Sequence, residues 1–418
     1  MARQTDTIAA IDLGTYRTCC VIGEITGPDM IDVIGIGSRR TNGIRKGVIV
    51  NLEALVATIR GAVEQAESMA GRSVDAAVAT VPAAQIRSFT SRGVVTITNR
   101  DRVVGRRDLT RVLETVRAVQ IPAGQSILHT LPQEYTLDGQ DGIQDPVGMT
   151  GSRLESSVHV VTVPTQAAQH VCSALNKSNI EVVSLVYPLL ASAQSVLSPE
   201  EQEQGVFLID CGGGTTDVAL FERGALWFTG SLPVAGELVS NDISIGLRTP
   251  VPDAEQIKRS YARAIPSEED DDLALEVPSV GGGPARVIAG HLLTQIVAPR
   301  IQEVFELAKE MIDRVGLGDR ARAGAVIVGG SANLGGLAEL AEEVLGVPVR
   351  TGIPYGTGGL LEDVRAPSFA TPVGLTLWEL RQGRRDRARE MTARPTTRVF
   401  EGLSRGINRA STWFGEMF

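Results

Sequence analysis

The chain has 418 residues, 43% apolar and 21% charged, an ordinary balance for a globular protein with room for two or more domains. Its net charge of −9 excludes general nucleic-acid binding through a basic surface, and no apolar run is long enough for a transmembrane helix. Four cysteines (Cys19, Cys20, Cys172, Cys211) without a C-x-x-C pair and four scattered histidines exclude a disulfide scaffold and a zinc site, so buried free thiols in a reducing cytoplasm are expected.

In chain order, the short polar residues 1–7 carry no signal peptide pattern. Residues 8–22 then read as strand, turn, strand: an apolar run ends on Asp12, Gly14 and Thr15 make the turn, and a second apolar run leaves. Residues 52–70 place Leu55, Val56, Ile59, Val63 and Ala66 at helical spacing, with Gly71 as the stop. Residues 75–81 are a short buried strand ended by Pro82. Residues 83–162 differ. A strand over 93–98 and a helix over 108–119 precede a segment rich in turn residues (Pro122, Pro132, Gly139, Pro146, Gly148), and we expect a small inserted α+β subdomain there, locally basic through Arg100, Arg102, Arg106, Arg107 and Arg111. The first lobe resumes with a strand, a helix over 165–175, a strand over 180–186 and a helix opened by Pro188, after which Ser198-Pro199-Glu200-Glu201 reads as a link.

The stretch from Gly205 to Phe221 repeats the opening pattern in a fuller form: an apolar run, Asp210, Gly212-Gly213-Gly214, Thr215-Thr216, Asp217 and a second apolar run. The glycines are read as supplying φ > 0 and close approach, and the two threonines as hydroxyl donors. Asp210 and Asp217 would repel a bare phosphate, so a cation that keeps its waters, magnesium, is expected with it. A second occurrence about 200 residues from the first predicts two similar lobes and two phosphate hairpins. Further on, residues 252–263 read as a helix that Asp253 could cap, and residues 288–315 as a helical run in which Pro299 is a break or a start. Residues 325–332 are a buried strand running into a Gly-rich turn that holds Gly330 and Ser331. From Arg381 on, nine arginines stand against four acids. A linker is expected first. A helix follows with Phe400, Leu403, Ile407, Phe414 and Met417 on one face, Trp413 beside them, and Arg398, Arg405 and Arg409 on another, which suits an anionic membrane surface.

The motifs around Asp12, Asp210 to Asp217 and Val328-Gly329-Gly330-Ser331 resemble those of the actin, Hsp70 and sugar-kinase superfamily. With Leu131-Pro132-Gln133-Glu134-Tyr135, Asp145-Pro146-Val147-Gly148-Met149-Thr150-Gly151 and Val277-Pro278-Ser279-Val280-Gly281-Gly282, nearly the whole chain is similar to the FtsA family of bacterial cell-division proteins. The resemblance implies an actin-like two-lobed α/β ATPase fold, with first-lobe core 1–82 and 163–198, insertion 83–162, and second-lobe core 199–236 and 301–380. Its remaining parts would be subdomain 237–300, linker 381–397 and amphipathic helix 398–418. It implies ATP between the lobes, with Asp12 and Asp210 holding Mg²⁺ through water and Gly14, Thr15, Tyr16, Gly212, Gly213, Gly214 and Thr215 on the phosphates. Gly236, Glu237 and Lys258 would approach the ribose and base, with Gly330 and Ser331 opposite. It further implies self-assembly aided by the insertion, and binding of the tail peptide of the tubulin-like Z-ring protein by the 237–300 subdomain, with Arg286 and Arg300 at its basic contacts. Other division proteins, anionic lipid and a peripheral place on the cytoplasmic face of the membrane at the division site complete that expectation. Hydrolysis is expected to be slow at most, because Tyr187 stands before Pro188 where brisk relatives carry a glutamate, and a phenol is no base near neutral pH. A pilus-assembly platform and a small-molecule kinase are the alternatives.

Overall fold

The computed structural model describes residues 6–392, apart from positions 83, 85, 119–120, 269 and 271–272. Their contacts form two compact units: Met1–Pro82, Ala167–Val196 and Ile353–Phe418 in the first, Ala83–Gln166 and Leu197–Gly352 in the second.

In the first unit, β1 (Thr7–Leu13), β2 (Arg17–Gly27) and β3 (Met30–Arg40) form an antiparallel meander. Parallel β6 (Ala76–Thr80) and β11 (Glu181–Val186) extend it on one side and the two-residue β19 (Gly358–Gly359) on the other. A small hairpin, β4 (Ile44–Arg45) with β5 (Val48–Ile49), precedes α1 (Leu52–Ala70). The Asn51 side chain accepts from Ala54 N at 3.0 Å to start α1, and Gly71 at φ 62° ends it. This helix lies directly on β3 because Gly37 leaves room: a Cβ there would stand 1.7 Å from the Ala62 carbonyl oxygen. Leu55, Ile59, Ala62 and Ala66 join Ile11, Cys20 and Ile22 in a core that α3 (Thr165–Lys177) completes through Val171, Ala174 and Leu175. Cys19, Val21, Ile31 and Val33 pack instead on Val373, Leu377 and Leu380 of α11 (Ala370–Thr392), which runs against α4 (Pro188–Val196). Strands alternate their side chains between faces, so the sheet has one apolar set for each.

The second unit repeats the plan. Antiparallel β14 (Ala225–Leu232), β13 (Thr216–Glu222) and β12 (Val206–Cys211) are followed by parallel β17 (Ala325–Val328) and β18 (Val349–Thr351). Its core gathers Ile209, Val218 and Leu220 with α6 (Gly236–Leu247), α7 (Val251–Tyr261), α8 (Gly290–Arg314) and α9 (Leu337–Leu345), beside the hairpin β15 (Ala274–Val277) and β16 (Arg286–Ala289). The inserted segment forms a separate four-stranded sheet, β7 (Arg87–Thr96), β10 (Arg153–Pro164), β8 (Gln125–Leu137) and β9 (Gln140–Ile143), with α2 (Arg106–Arg117) on it. A short α10 (Leu361–Val364) precedes α11.

Five local expectations need correction. Ser198 to Glu201 is not a plain link: Ser198 Oγ accepts from Glu201 N and Glu201 Oε2 from Ser198 N, a capping box that starts α5 (Pro199–Gln204). The turn-rich segment contains the 13-residue β8, and Pro132 is tolerated inside it because it sits at a register shift. Asp253 lies in the first turn of α7, which has no side-chain cap. Pro299 neither breaks nor starts α8; buried Val297, Ile301, Val304 and Phe305 hold the helix through it. The arginine-rich stretch after Arg381 continues α11 to Thr392, since Arg, Gln, Ala and Glu are good helix formers. The membrane-helix residues Phe400, Leu403, Ile407, Trp413, Phe414 and Met417 lie outside the described residues. No described helix is long and apolar enough to cross a membrane.

Candidate nucleotide site

Each unit carries one of the two hairpins, at the end of β1 in the first and of β12 in the second. In the first, Thr80 Oγ1 donates to Asp12 Oδ1 at 2.9 Å and accepts from Leu13 N at 2.8 Å, so the end of β6 fixes the acid. Burial raises the Asp12 pKa, and the Thr80 hydroxyl and the Arg17 charge oppose that rise. Gly14 N donates to Arg17 O at 3.1 Å, and a Cβ on Gly14 would stand 2.7 Å from that oxygen. Thr41 Oγ1 bonds Gly14 O, Gly47 N bonds Thr15 Oγ1, and Arg40 stacks on Tyr16 at 4.9 Å. The expected residues Asp12, Gly14, Thr15 and Tyr16 are thus one turn, held by Thr80 and Thr41, which the motif did not reveal.

In the second unit the hairpin is held by its carbonyls. Gly212 O accepts from Gly236 N at 3.1 Å and from Ser331 Oγ at 3.3 Å, and Gly213 O accepts from Glu237 N at 2.8 Å. These bonds also satisfy the first turn of α6, whose N-cap, Ala235, has no side-chain bond. In a trans peptide the N–H points opposite the preceding C=O. With both carbonyls turned to α6, the N–H groups of Gly213 and Gly214 face away from it together, an arrangement that suits an anion. None of Gly212, Gly213 and Gly214 has a positive φ, contrary to expectation. Space is what Gly212 provides, because its Cβ would meet Thr215 O at 3.0 Å. The threonine hydroxyls also differ from the expectation: Thr215 Oγ1 donates to Asp217 Oδ2 at 3.0 Å and Thr216 Oγ1 to Val234 O at 2.7 Å, so both protons are used within the unit.

Asp210 and Asp217 are directly opposed across β12 and β13, hence on one face of the sheet. Burial pushes the Asp217 pKa up to about 6 against the lowering effect of the Ser231 and Thr215 hydroxyls. Gly329, at φ 88°, closes over the end of β12; a Cβ there would stand 2.2 Å from Asp210 Oδ1. A Cβ on Gly330 meets nothing within 4 Å, so that position borders open space. Lys258 sits in the wall: Nζ donates to Gly236 O (2.9 Å), Ser240 Oγ (2.9 Å) and Glu255 Oε2 (2.6 Å), and burial lowers its pKa against the pull of Glu255. Ser240 and Glu255 were missed, although Glu255 stands one helical turn before Lys258. The structure therefore gathers Asp210, Gly212, Gly213, Gly214, Thr215, Gly236, Glu237, Lys258, Gly330 and Ser331 in one unit. No group of three or more metal-ligating side chains occurs among the described residues. Such a donor set fits only a cation that keeps most of its waters.

Tyr187 is fully buried just ahead of α4. Arg286 is exposed on β16 and donates to Leu247 O, whereas Arg300 pairs with Asp242 (2.6 Å) and with Glu303. Ile245, Val280 and Val287 of the same region are 76%, 66% and 73% exposed.

Comparison with known proteins gives the setting of these hairpins. A family model described as "Cell division protein FtsA" matches residues 207–374, and one described as "SHS2 domain inserted in FTSA" matches 83–162. The chain is 42% identical to the cell division protein FtsA of Pseudomonas aeruginosa over 90% of this chain and 89% of that one. The chain belongs to the FtsA family. It is 33% identical to the Escherichia coli K12 FtsA over the full length of both. Among solved structures, the PilM-PilN type IV pilus biogenesis complex (TM-score 0.64, 16% identity, 89% of this chain and 98% of that one) shares the fold. So does MreB5 of Spiroplasma citri bound to ADP (TM-score 0.57, 14% identity, 92% and 99%). The fold is actin-like with an SHS2 insertion, and the FtsA family, rather than the pilus platforms or small-molecule kinases, assigns the chain an actin-like role in cell division.

Proposed function

We propose that this chain binds Mg-ATP through its two phosphate hairpins, assembles with copies of itself, and ties the tubulin-like Z-ring protein to the cytoplasmic face of the membrane while other division proteins are recruited. The observation that carries the nucleotide part is the pinning of the Gly212 and Gly213 carbonyls by α6 and Ser331, which frees two adjacent N–H groups for a phosphate. MreB5 of Spiroplasma citri, of the same fold, is solved with ADP and with AMPPNP, which supports the reading. Asp12 and Asp210 would hold the magnesium through its waters; Gly14, Thr15, Tyr16 and Thr215 would line the phosphates. Calorimetry tests this. Asp210→Ala and Gly213→Val should each lose Mg-ATP binding by about 100-fold or more, the second by filling the space an oxygen must enter. Parental affinity in both variants would show that the phosphates sit elsewhere.

For the Z-ring tail, an acidic and apolar peptide, exposed Ile245, Val280 and Val287 offer apolar anchors and Arg286 a charge beside them. Arg300 would have to exchange Asp242 and Glu303 for an incoming acid, so Arg286 is the readier contact.

Membrane attachment is assigned to residues 398–418. Each large apolar side chain among Phe400, Leu403, Ile407, Trp413, Phe414 and Met417 contributes about 1.5–3 kcal/mol when buried, and each arginine near anionic lipid about 1 kcal/mol. Ordering roughly 20 residues opposes this, so a single helix binds moderately and an assembly binds firmly. Removing residues 399–418 should leave a folded protein with parental Mg-ATP affinity that no longer sediments with anionic vesicles. Undiminished sedimentation of the truncated chain would place the membrane contact in the body.

A further inference from the structure

β14 is an edge strand of the second unit's sheet, and an uncovered edge offers its main-chain groups to any passing strand. Here the edge is occupied by side chains from the inserted domain. Gln133 of β8, 6% exposed, donates through Nε2 to Leu226 O at 3.1 Å and to Trp227 O at 3.2 Å. The two carbonyls can be met only by the amide NH2, which fixes which way the amide faces, and its Oε1 accepts from Ser157 Oγ of β10 at 3.1 Å. Ser88 Oγ of β7 donates to Thr229 O at 3.3 Å, and His159 Nε2 of β10 meets Thr229 Oγ1 at 3.2 Å. Two inserted strands, β8 and β7, thus reach main-chain carbonyls of one strand, and the third, β10, reaches the side chain of its Thr229.

The partners on β14 have a consequence. Carbonyls are present whatever side chains β14 carries, so substitution along β14 cannot remove them; only the inserted side can. Gln133 makes two of these bonds, and its loss would take a donor from the buried Leu226 carbonyl and from the part-buried Trp227 carbonyl. β14 in turn pairs with β13 in the register Asp217 to Ser231 and Thr216 to Leu232, next to the phosphate hairpin.

We propose that Gln133 is a latch that fastens the inserted domain to the main chain of β14, so that this domain moves with the sheet bearing the Asp210 hairpin and shields its edge. The inference does not require that a nucleotide bind. An interface made by polar side chains on main-chain groups opens and recloses more readily than an apolar one, so the latch sets how often the insertion swings free and β14 is bared.

Gln133→Glu in the full chain tests this. The side chain keeps its shape, but at pH 8 a carboxylate faces two carbonyl oxygens where two N–H donors stood. Hydrogen exchange should rise about tenfold or more in residues 225–232, while the β8–β10 ladder within the insertion and the β1–β2 ladder keep their parental rates. Gln133→Met, which removes the donors without adding charge, should give a smaller rise at the same amides. Parental exchange at 225–232 in both variants would overturn the proposal. Loss of protection throughout β8–β10 would overturn it as well, by making Gln133 a residue of the insertion's own fold.

Discussion

Alanine at position 329 is expected to abolish Mg-ATP binding and to destabilise the second unit by about 3 kcal/mol, whereas alanine at position 330 should leave stability unchanged and weaken binding alone. Gly329 has φ 88° and ψ 175°, a region essentially reserved for glycine that costs an L side chain about 1–3 kcal/mol. Its new Cβ would also stand 2.2 Å from Asp210 Oδ1 and 2.6 Å from Cys211 O. The carboxylate could swing aside, but the Cys211 carbonyl belongs to the strand, so β12 must shift at the point where the hairpin starts. At Gly330 the same methyl meets no protein atom within 4 Å and projects into the space proposed for the nucleotide. Denaturant unfolding and calorimetry on the two variants separate a structural glycine from a ligand-facing one. Parental stability and affinity in Gly329→Ala would remove the basis for both assignments.

The second large effect is on acid stability. His159 is buried at 2% exposure, and burial pushes its pKa down to about 4 from an ordinary 6.5. Between those two values the unfolded chain binds a proton that the folded chain does not. This group's contribution to stability is therefore full above pH 6.5 and is lost as pH drops toward 4, by about 3 kcal/mol for a shift of that size. His159→Gln keeps a polar group for Thr229 and removes the titration. Its urea midpoint should vary less with pH than the parent's over this window, and parallel pH profiles for the two proteins would contradict the assignment.

The hairpins were legible in the sequence because their signals are local. An apolar run ending on Asp, then glycine and threonine, is a strand meeting a turn whatever the rest of the chain does. What those residues do was less legible. The sequence offers the hydroxyls of Thr215 and Thr216 as donors to a ligand, but Thr215 has an acceptor two residues on in Asp217, and Thr216 has one in Val234 O that only the folded chain brings within reach. Three consecutive glycines suggest positive φ; the carbonyls of Gly212 and Gly213 are instead drawn to α6, an element more than 20 residues further on. Thr80 and Ser240 are invisible for the same reason, since their partners Asp12 and Glu255 lie 68 and 15 residues away, whereas Glu255 stands one helical turn before Lys258 and its spacing is open to view in the sequence. The strand β8 was hidden by Pro132 and the turn residues after it, because a proline argues against a strand until a register shift is known to accommodate it. Ser198 and Glu201 are the opposite case: their three-residue spacing is itself a helix-start signal, and it forms the capping box of α5.

The last helix has a geometric consequence. Its first half is buried against the first unit through Val373, Leu377 and Leu380, and it then continues to Thr392. Twelve residues of helix beyond Leu380 amount to a spar about 18 Å long, at about 1.5 Å of rise per residue. A spar sets a bearing as well as a length. Each residue added within it would turn its far end by about 100°, so one added residue re-aims that end, while four leave it about 40° from the original azimuth and about 6 Å further out.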